Sequence, residues 1–144
     1  DTFRRPVLAA GAIAPAPGEY AIVFDSAGRA GAGPFTFRYW LNDVTAPALR
    51  LRTRTVRRGD RLVVGATDAG SRVYPQSINA SVDGQRVPAS YRRGVIRVDT
   101  TGLSEGTHRL RLRVSDYQEA KNTENVSRIL PNTRVLSATL TTRG

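Results

Sequence analysis

Two runs of alternating arginines are the most unusual chemical feature of this sequence. In the first run, Arg50, Arg52 and Arg54 alternate with Leu and Thr, and a second run with the same spacing follows about sixty residues later. If each run is a β-strand, its arginines share one face and lie about 6.6–7 Å apart. Guanidinium groups bind carboxylate and phosphate bidentately, so the runs predict a surface for an acidic partner. The candidate anion-binding residues are Arg50, Arg52, Arg54, Arg109, Arg111 and Arg113.

The charge balance leaves two explanations for these arginines. The net charge is +10, and 22 residues are basic, of which Lys121 alone is lysine. One explanation is a patch that holds an acidic cell-surface polymer or an acidic protein surface. The other is a GC-rich genome that encodes Arg wherever a solvated cation is tolerated. We do not expect nucleic acid as the partner, because no aromatic residues alternate with the arginines to stack on bases.

A few acidic residues have the spacing of a candidate calcium site. Asp68 and Asp116 each end a predicted strand, and Glu119 and Asn122 follow the second of them closely. Calcium prefers six to eight oxygen ligands from carboxylates, amides and carbonyls, so these four residues are the candidate ligands. Alternatively, Asp and Asn form Asx turns at strand ends without any metal. Calcium is the one cofactor that the sequence allows for, and we otherwise expect none.

The sequence predicts a protein without catalytic residues. His108 is the only histidine, and there is no cysteine. An ordinary zinc site needs three or four His, Cys or carboxylate ligands, and no G-x-S-x-G nucleophile motif is present. We therefore expect His108 to be a structural residue at the start of a strand, and the protein not to be an enzyme.

The elements that position these residues are predicted to be strands. Short alternating runs separated by turn residues dominate residues 45–144, and helical periodicity is almost absent. Asp83-Gly84 predicts a tight hairpin, and Pro88 excludes a central, fully hydrogen-bonded position for its return strand. Seven short strands in about a hundred residues predict an all-β, seven-strand immunoglobulin-like antiparallel sandwich. The predicted strands are 49–55, 61–67, 77–82, 85–91, 95–98, 107–115 and 133–141.

Residues 1–44 are predicted to form a separate segment. Residues 9–18 are rich in Ala, Pro and Gly and indicate an extended arm, and two aromatic strands at 20–24 and 34–41 predict a hairpin. A lone hairpin is marginally stable in water, so its aromatic surface should pack on the sandwich or on another molecule. The candidate assembly residues are Tyr20, Phe24, Phe35, Phe37, Tyr39 and Trp40.

Three motifs resemble those of the bacterial immunoglobulin-like domains of secreted, modular proteins. They are the Asn42–Pro47 lead-in, the Asp68–Ser71 loop and the Leu103–Leu110 edge, and the resemblance covers roughly residues 44–142. The chain departs from the family pattern at Ala46 and at Arg72, where Pro and Gly are usual. The stretch 33–43 is similar to the last strand of a β-sandwich appended to actinobacterial subtilisin-like proteases. The resemblance implies an extracellular or cell-surface modular protein, and it implies no protease activity for this chain.

Two functions from different classes follow. The first is a structural module, such as a filament subunit, whose N-terminal hairpin adds strands to copies of itself or to adjacent β-domains. The second is an accessory targeting domain of a secreted subtilisin-like hydrolase that holds an acidic polymer or partner through its arginines. No apolar run is long enough for a membrane span. The chain begins at Asp1 and not at Met, which is typical of a processed or excised product.

Overall fold

The computed structural model describes residues 16–25, 28, 33–41, 43–118 and 132–144. The chain divides into two compact units, of which the first ends at Asn42 and the second spans Asp43–Gly144. This division lies two residues before the predicted one between 44 and 45. The second unit therefore includes Asp43, whose role is described below.

The second unit is all-β and consists of two sheets. The four-stranded sheet has the order β1-β3-β7-β6, and the five-stranded sheet has the order β2-β9-β8-β4-β5. All neighbouring strands are antiparallel except β2 and β9, which are parallel. The strands are β1 (Ala48–Leu51), β2 (Thr55–Arg57), β3 (Arg61–Thr67), β4 (Asn79–Val82), β5 (Gln85–Val87), β6 (Ala89–Arg92), β7 (Val95–Asp99), β8 (Gly106–Ser115) and β9 (Thr133–Arg143), with a 3-10 turn at Pro75–Ser77.

The described unit thus has nine strands where the sequence predicted seven, because two predicted strands each divide between the sheets. The predicted strand 49–55 leaves the four-stranded sheet after β1 and enters the other as β2. Between them, the Thr53 hydroxyl donates to the Thr55 carbonyl at 2.6 Å and accepts from the Thr55 N–H at 3.2 Å. This local hydrogen bonding replaces ladder bonds and turns the chain toward the second sheet.

The predicted strand 85–91 divides at Pro88, which separates β5 from β6. Proline has no N–H to donate to a ladder, so it interrupts strand pairing where it stands. The Pro88 carbonyl instead accepts the Asp99 N–H at 2.8 Å, which connects this corner to β7. Preceding it, Asp83 and Gly84 have φ values of 50° and 83°, as the predicted tight hairpin turn requires.

One hydrophobic core lies between the inward faces of the two sheets. In β8 the side chains of Leu110, Leu112 and Val114 are buried while the arginines between them are exposed. The same alternation in β3 buries Leu62 and Val64. Burial of alternate apolar residues from both sheets is what an all-β sandwich requires. The buried apolar residues are Val56, Leu62, Val64, Ala66, Val73, Ala80, Val82, Ile96, Val98, Leu110, Leu112, Val114 and Leu140.

The N-terminal unit differs from its prediction. The structure describes residues 16–25 and 33–41 of it, and these contain no strand, so the predicted β-hairpin is not formed there. The predicted arm at 9–18 is described only from residue 16 onward. No helix in the described part of the chain is long and apolar enough to cross a membrane.

Candidate functional site

The second arginine series forms a continuous ladder on β8. Arg109, Arg111 and Arg113 are exposed on the outward face of the five-stranded sheet, because the leucines between them point into the core. Their direct neighbours on β9 are Thr139, Ser137 and Val135. On the other side, Arg111 lies opposite Ser81 of β4 and Arg113 lies opposite Asn79.

The first arginine series does not form one ladder. Arg50 is on β1, and both Arg50 and Arg52 lie against the outer side of Gly65 in the four-stranded sheet. Arg54 lies beyond the crossing point, and its guanidinium donates to the Thr139 carbonyl at 3.4 Å in the five-stranded sheet. The alternating pattern could not reveal this, because it indicates which residues share a side of a strand and not where the strand changes sheets.

The prediction from the alternating arginine runs did not include three further arginines of the five-stranded sheet. Arg86 of β5 lies opposite Ser81, so it shares the outward face of Arg111 across one intervening strand. Arg57 and Arg143 are paired in the parallel ladder of β2 and β9. None of these three belongs to an alternating run of arginines, and only the strand register places them together. We call Arg57, Arg86, Arg109, Arg111, Arg113 and Arg143 the arginine face.

Three carboxylates meet at one end of the sandwich. One carboxylate oxygen from each of Asp43, Asp68 and Asp116 lies within 4.8 Å of the other two. Two of them, Asp68 and Asp116, are predicted calcium ligands that the structure does bring together. The other two predicted ligands, Glu119 and Asn122, lie outside the described residues. Asp43 was missed, because nothing in the pattern connects the start of the unit with the loop that follows β3.

Backbone N–H groups hold the Asp43 carboxylate in position. Ser71 N–H donates to Asp43 Oδ2 at 2.6 Å, and Thr45 N–H donates to Oδ1 at 3.1 Å. The Asn132 side-chain amide donates to the Asp43 carbonyl at 2.6 Å. Asp43 therefore ties the start of the unit to the loop after β3 and to the start of β9.

The pKa values of Asp43 and Asp68 move in opposite directions. Burial alone would raise the pKa of Asp43, but the hydrogen bonds from Ser71 and Thr45 outweigh it and hold the pKa below its usual value. Burial raises the pKa of Asp68, and the negative charge of Asp43 raises it further against the Arg72 N–H bond. The three neighbouring carboxylates repel one another when all are charged. A hard cation such as calcium would relieve this repulsion by binding their oxygens, and protons shared between the carboxylates would relieve it without a metal.

His108 lies in a hydrogen-bonded network at the start of β8. Its Nδ1 is 2.7 Å from Asp83 Oδ2, and its Nε2 is 2.9 Å from the Ser104 carbonyl and 3.2 Å from Thr142 Oγ1. The other Asp83 oxygen accepts the Arg109 N–H at 2.7 Å. The Asp83 carboxylate, and then the Ser104 carbonyl, raise the pKa of His108 against the opposing effect of burial.

This network resembles a catalytic triad in its order of residues but not in its chemistry. The Thr142 hydroxyl donates to the Ser104 carbonyl, so its proton does not point at the imidazole. Thr142 is also 3 % exposed, which leaves no room for a substrate at its oxygen. The arrangement connects β8, β9 and the β4–β5 turn.

Four of the six predicted assembly residues form an exposed aromatic cluster in the N-terminal unit. The Phe24 ring centroid lies 4.8 Å from that of Phe35 and 4.9 Å from that of Phe37, and Phe37 lies 6.1 Å from Tyr39. These four side chains remain 51–72 % exposed despite their mutual contacts. Tyr20 is also exposed and donates its hydroxyl to the Ala16 carbonyl, and Trp40 is half-buried.

Comparison with protein-family models, with curated proteins and with solved structures finds no match to this chain.

Proposed function

We propose that this protein is a non-catalytic structural module of the cell exterior, in which an immunoglobulin-like sandwich carries an aromatic segment that mediates assembly. The observation that carries the proposal is the aromatic cluster of Phe24, Phe35, Phe37 and Tyr39, which stays exposed while the sandwich closes its own core. The extracellular location rests on the resemblance of the strand-end motifs to bacterial immunoglobulin-like domains.

The order of the strands supports an immunoglobulin-like sandwich. If β2 is treated as a second half of the first strand, the four-stranded sheet has the order A-B-E-D. The five-stranded sheet then has the order A′-G-F-C-C′, in which G, F and C are neighbours as in such domains. The nine strand segments fit this scheme for two reasons. The first strand is split into β1 and β2, and an extra edge strand, β5, comes before β6 along the chain.

The absence of catalysis is proposed from the state of the one histidine. Both nitrogens of His108 face oxygen atoms of the fold, and the hydroxyl beside it is buried. A general base needs access to the proton that it removes, within about 2.6–3.2 Å of a bound substrate. The His108 network offers no such access.

The exposed aromatic cluster supports assembly for a thermodynamic reason. Large aromatic side chains each bury about 150–250 Å² in a core or an interface, and contiguous exposed apolar patches mark interaction sites. An isolated cluster of four rings leaves most of that area in water. Covering the cluster with an adjacent β-domain or a second copy would remove this apolar area from water, and the resulting hydrophobic free energy would stabilise the assembly.

The edges of the sandwich favour the N-terminal segment as the contributor of the contact. The edge strands β2 and β5 have three residues each, β1 and β6 have four, and all four carry an exposed arginine. Short edges that each carry an arginine disfavour the pairing of two sandwich edges with each other, whereas residues 20–24 bring no charge to such an edge. We therefore propose that the main chain of residues 20–24 and 34–41 adds to a sheet of another domain or copy, with its aromatic side chains in pockets of that partner. A contact of this head-to-tail type propagates into a filament.

Electron microscopy and sedimentation velocity of the purified chain test this proposal. The wild type is expected to form filaments or defined oligomers, and a Phe24→Ser, Phe35→Ser, Phe37→Ser variant is expected to stay monomeric with an unchanged far-UV spectrum. The matched control is Val135→Ser, which removes an exposed apolar side chain of the sandwich itself and should leave assembly intact. Wild-type protein that stays monomeric, or a triple variant that assembles like the wild type, would overturn the proposal.

A further inference from the structure

We infer that the arginine face binds the backbone of a linear polyanion and recognises its charges without contacting bases. The inference depends on the outward side of the five-stranded sheet alone, so it is independent of assembly through the aromatic cluster. Four observations support it: the spacing of the guanidinium groups, the lack of neutralising carboxylates among the described residues, the chemistry of the residues between the arginines, and the contrast with the opposite sheet.

The spacing suits a ligand with repeated charges. Arg109, Arg111 and Arg113 lie about 7 Å apart along β8, so the ladder spans about 14 Å. Arg86 extends it sideways, about 9–10 Å from Arg111 across β4. Such an array matches several successive charges of a chain and exceeds the reach of a single small anion.

Within the part of the chain that the structure describes, the positive charge of the face is not neutralised by ion pairs. None of the residues in β2, β4, β5, β8 and β9 is acidic. Among the described residues, no carboxylate forms an ion pair with these guanidinium groups. The Asp83 carboxylate interacts electrostatically with Arg109, but its two oxygens are already hydrogen-bonded to the His108 ring and to the Arg109 N–H. Adjacent like charges on a sheet are destabilising, so the fold bears a cost that a bound polyanion would remove.

The residues between the arginines suit a charged backbone and not a base. Four of the five direct neighbours of the ladder, Ser81, Asn79, Ser137 and Thr139, offer hydroxyl and amide donors to anionic oxygens, and the fifth is the apolar Val135. No Phe, Tyr or Trp occurs in these five strands, and the imidazole of His108 is buried, whereas single-stranded nucleic acids are held by stacking of bases on exposed aromatic rings. The ligand class is therefore a linear, base-free polyanion, and an acidic polymer of the cell surface belongs to that class.

The outward side of the four-stranded sheet provides an internal comparison. Its strand arginines sit one on each strand: Arg50 on β1, Arg61 on β3, Arg92 on β6 and Arg97 on β7. Apolar Val63 lies opposite Arg97, and acidic Asp99 lies opposite Arg61. That side has similar charge but no ladder. Comparing the two sides therefore separates binding to a regular row of arginines from binding through net positive charge alone.

Binding of a fluorescein-labelled abasic phosphodiester oligomer, followed by anisotropy over a range of salt concentrations, tests the inference. Replacing Arg109, Arg111 and Arg113 by Gln is expected to weaken binding at least about tenfold at low salt and to reduce the slope of log K against log salt by about two, since each backbone charge contact contributes about 0.7. The matched control, Arg50→Gln, Arg92→Gln, Arg97→Gln, removes the same charge and should change the slope by less than about one.

Equal losses in the two triple variants would overturn the inference, because net charge alone would then explain binding. A second arm compares the abasic oligomer with oligo-dT of the same length and label. Equal affinities are expected, and a preference of more than about tenfold for oligo-dT would show that bases are read and would contradict the base-free assignment. A polyuronate as unlabelled competitor completes the test, and its failure to displace the abasic oligomer at matched charge would also overturn it.

Discussion

At the scale of single residues, His108 makes stability depend on pH. Both of its ring nitrogens face oxygen acceptors, Asp83 Oδ2 and the Ser104 carbonyl, so the doubly protonated ring is the form that satisfies both. The pKa of His108 is accordingly raised above its ordinary value of 6.5. A group whose pKa is raised by folding stabilises the protein fully below its unfolded pKa, and that contribution is lost as the pH rises through the folded pKa.

We therefore expect the wild type to lose more stability between about pH 5.5 and pH 8.5 than a His108→Gln variant does. Urea unfolding of both proteins at several pH values measures this difference, and because His108 is the only histidine, its imidazole resonances follow the same titration by NMR. Parallel stability curves for the two proteins would contradict the prediction.

Gly70 is a second residue whose identity the structure explains. A Cβ atom at this position would lie well inside van der Waals contact of Asp43 Cγ. The carboxylate cannot move away without losing the Ser71 N–H bond, which is buried. We expect Gly70→Ala to destabilise the fold by about 1–3 kcal/mol, the cost of an unsatisfied buried donor. Guanidinium denaturation measures it, with Gly102→Ala as the control.

Gly102 has open space where a Cβ atom would stand, with no neighbouring atom within 4 Å of that position. Its substitution by Ala should therefore change the free energy of unfolding by no more than about 0.5 kcal/mol. If the two glycine variants unfold at the same denaturant concentration, the close packing of Gly70 on Asp43 is not what constrains this residue.

At the scale of elements, alternation and turn chemistry predicted most of the strands and their inward faces. The ladder on β8 and the tight turn at Asp83-Gly84 follow directly from local sequence, because period-two alternation and positive φ are local properties. The sheet to which a segment belongs is not local. Thr53 and Pro88 mark the two points where a predicted strand changes sheets, and nothing in the alternation around them indicates the new partner.

The candidate sites show the same limit: residues with a local sequence signal were predicted, and residues that join a site only through tertiary contacts were not. Asp68 and Asp116 were identified because both end a strand, whereas Asp43 joins them only through tertiary structure. In the N-terminal unit, the aromatic residues were identified by type, but the predicted pairing of 20–24 with 34–41 is absent from the described residues. A hairpin of two strands has too few contacts to form from alternation alone.

Calcium at these strand ends remains a prediction of the sequence, and thermal unfolding tests it. If calcium binds, its addition raises the melting temperature and a chelator lowers it. At a hundredfold excess of calcium over Kd, the free energy of unfolding should rise by about 2.7 kcal/mol. Asp116→Asn should abolish the response, and Asp99→Asn, whose carboxylate accepts from Thr101 elsewhere, should preserve it. A melting temperature that is the same with calcium and with chelator would rule out a stabilising calcium site.

At the scale of the whole molecule, the boundary between the units determines how the chain can be divided. The predicted boundary would place Asp43 in the N-terminal segment, but its hydrogen bonds belong to the sandwich. Removing it leaves the buried Ser71 N–H and the Asn132 amide without these acceptors. Each such loss costs about 1–3 kcal/mol.

We therefore expect a chain of residues 41–144 to fold with the stability of the sandwich in the full protein, and a chain of residues 45–144 to be less stable by about 2–6 kcal/mol. Guanidinium denaturation of both chains measures the difference. Hydrogen exchange locates it, since the Ser71 amide should be protected in the longer chain and not in the shorter one. Equal midpoints for the two chains would mean that the sandwich begins after Asp43, and the longer chain failing to fold would mean that the first forty residues contribute to its core.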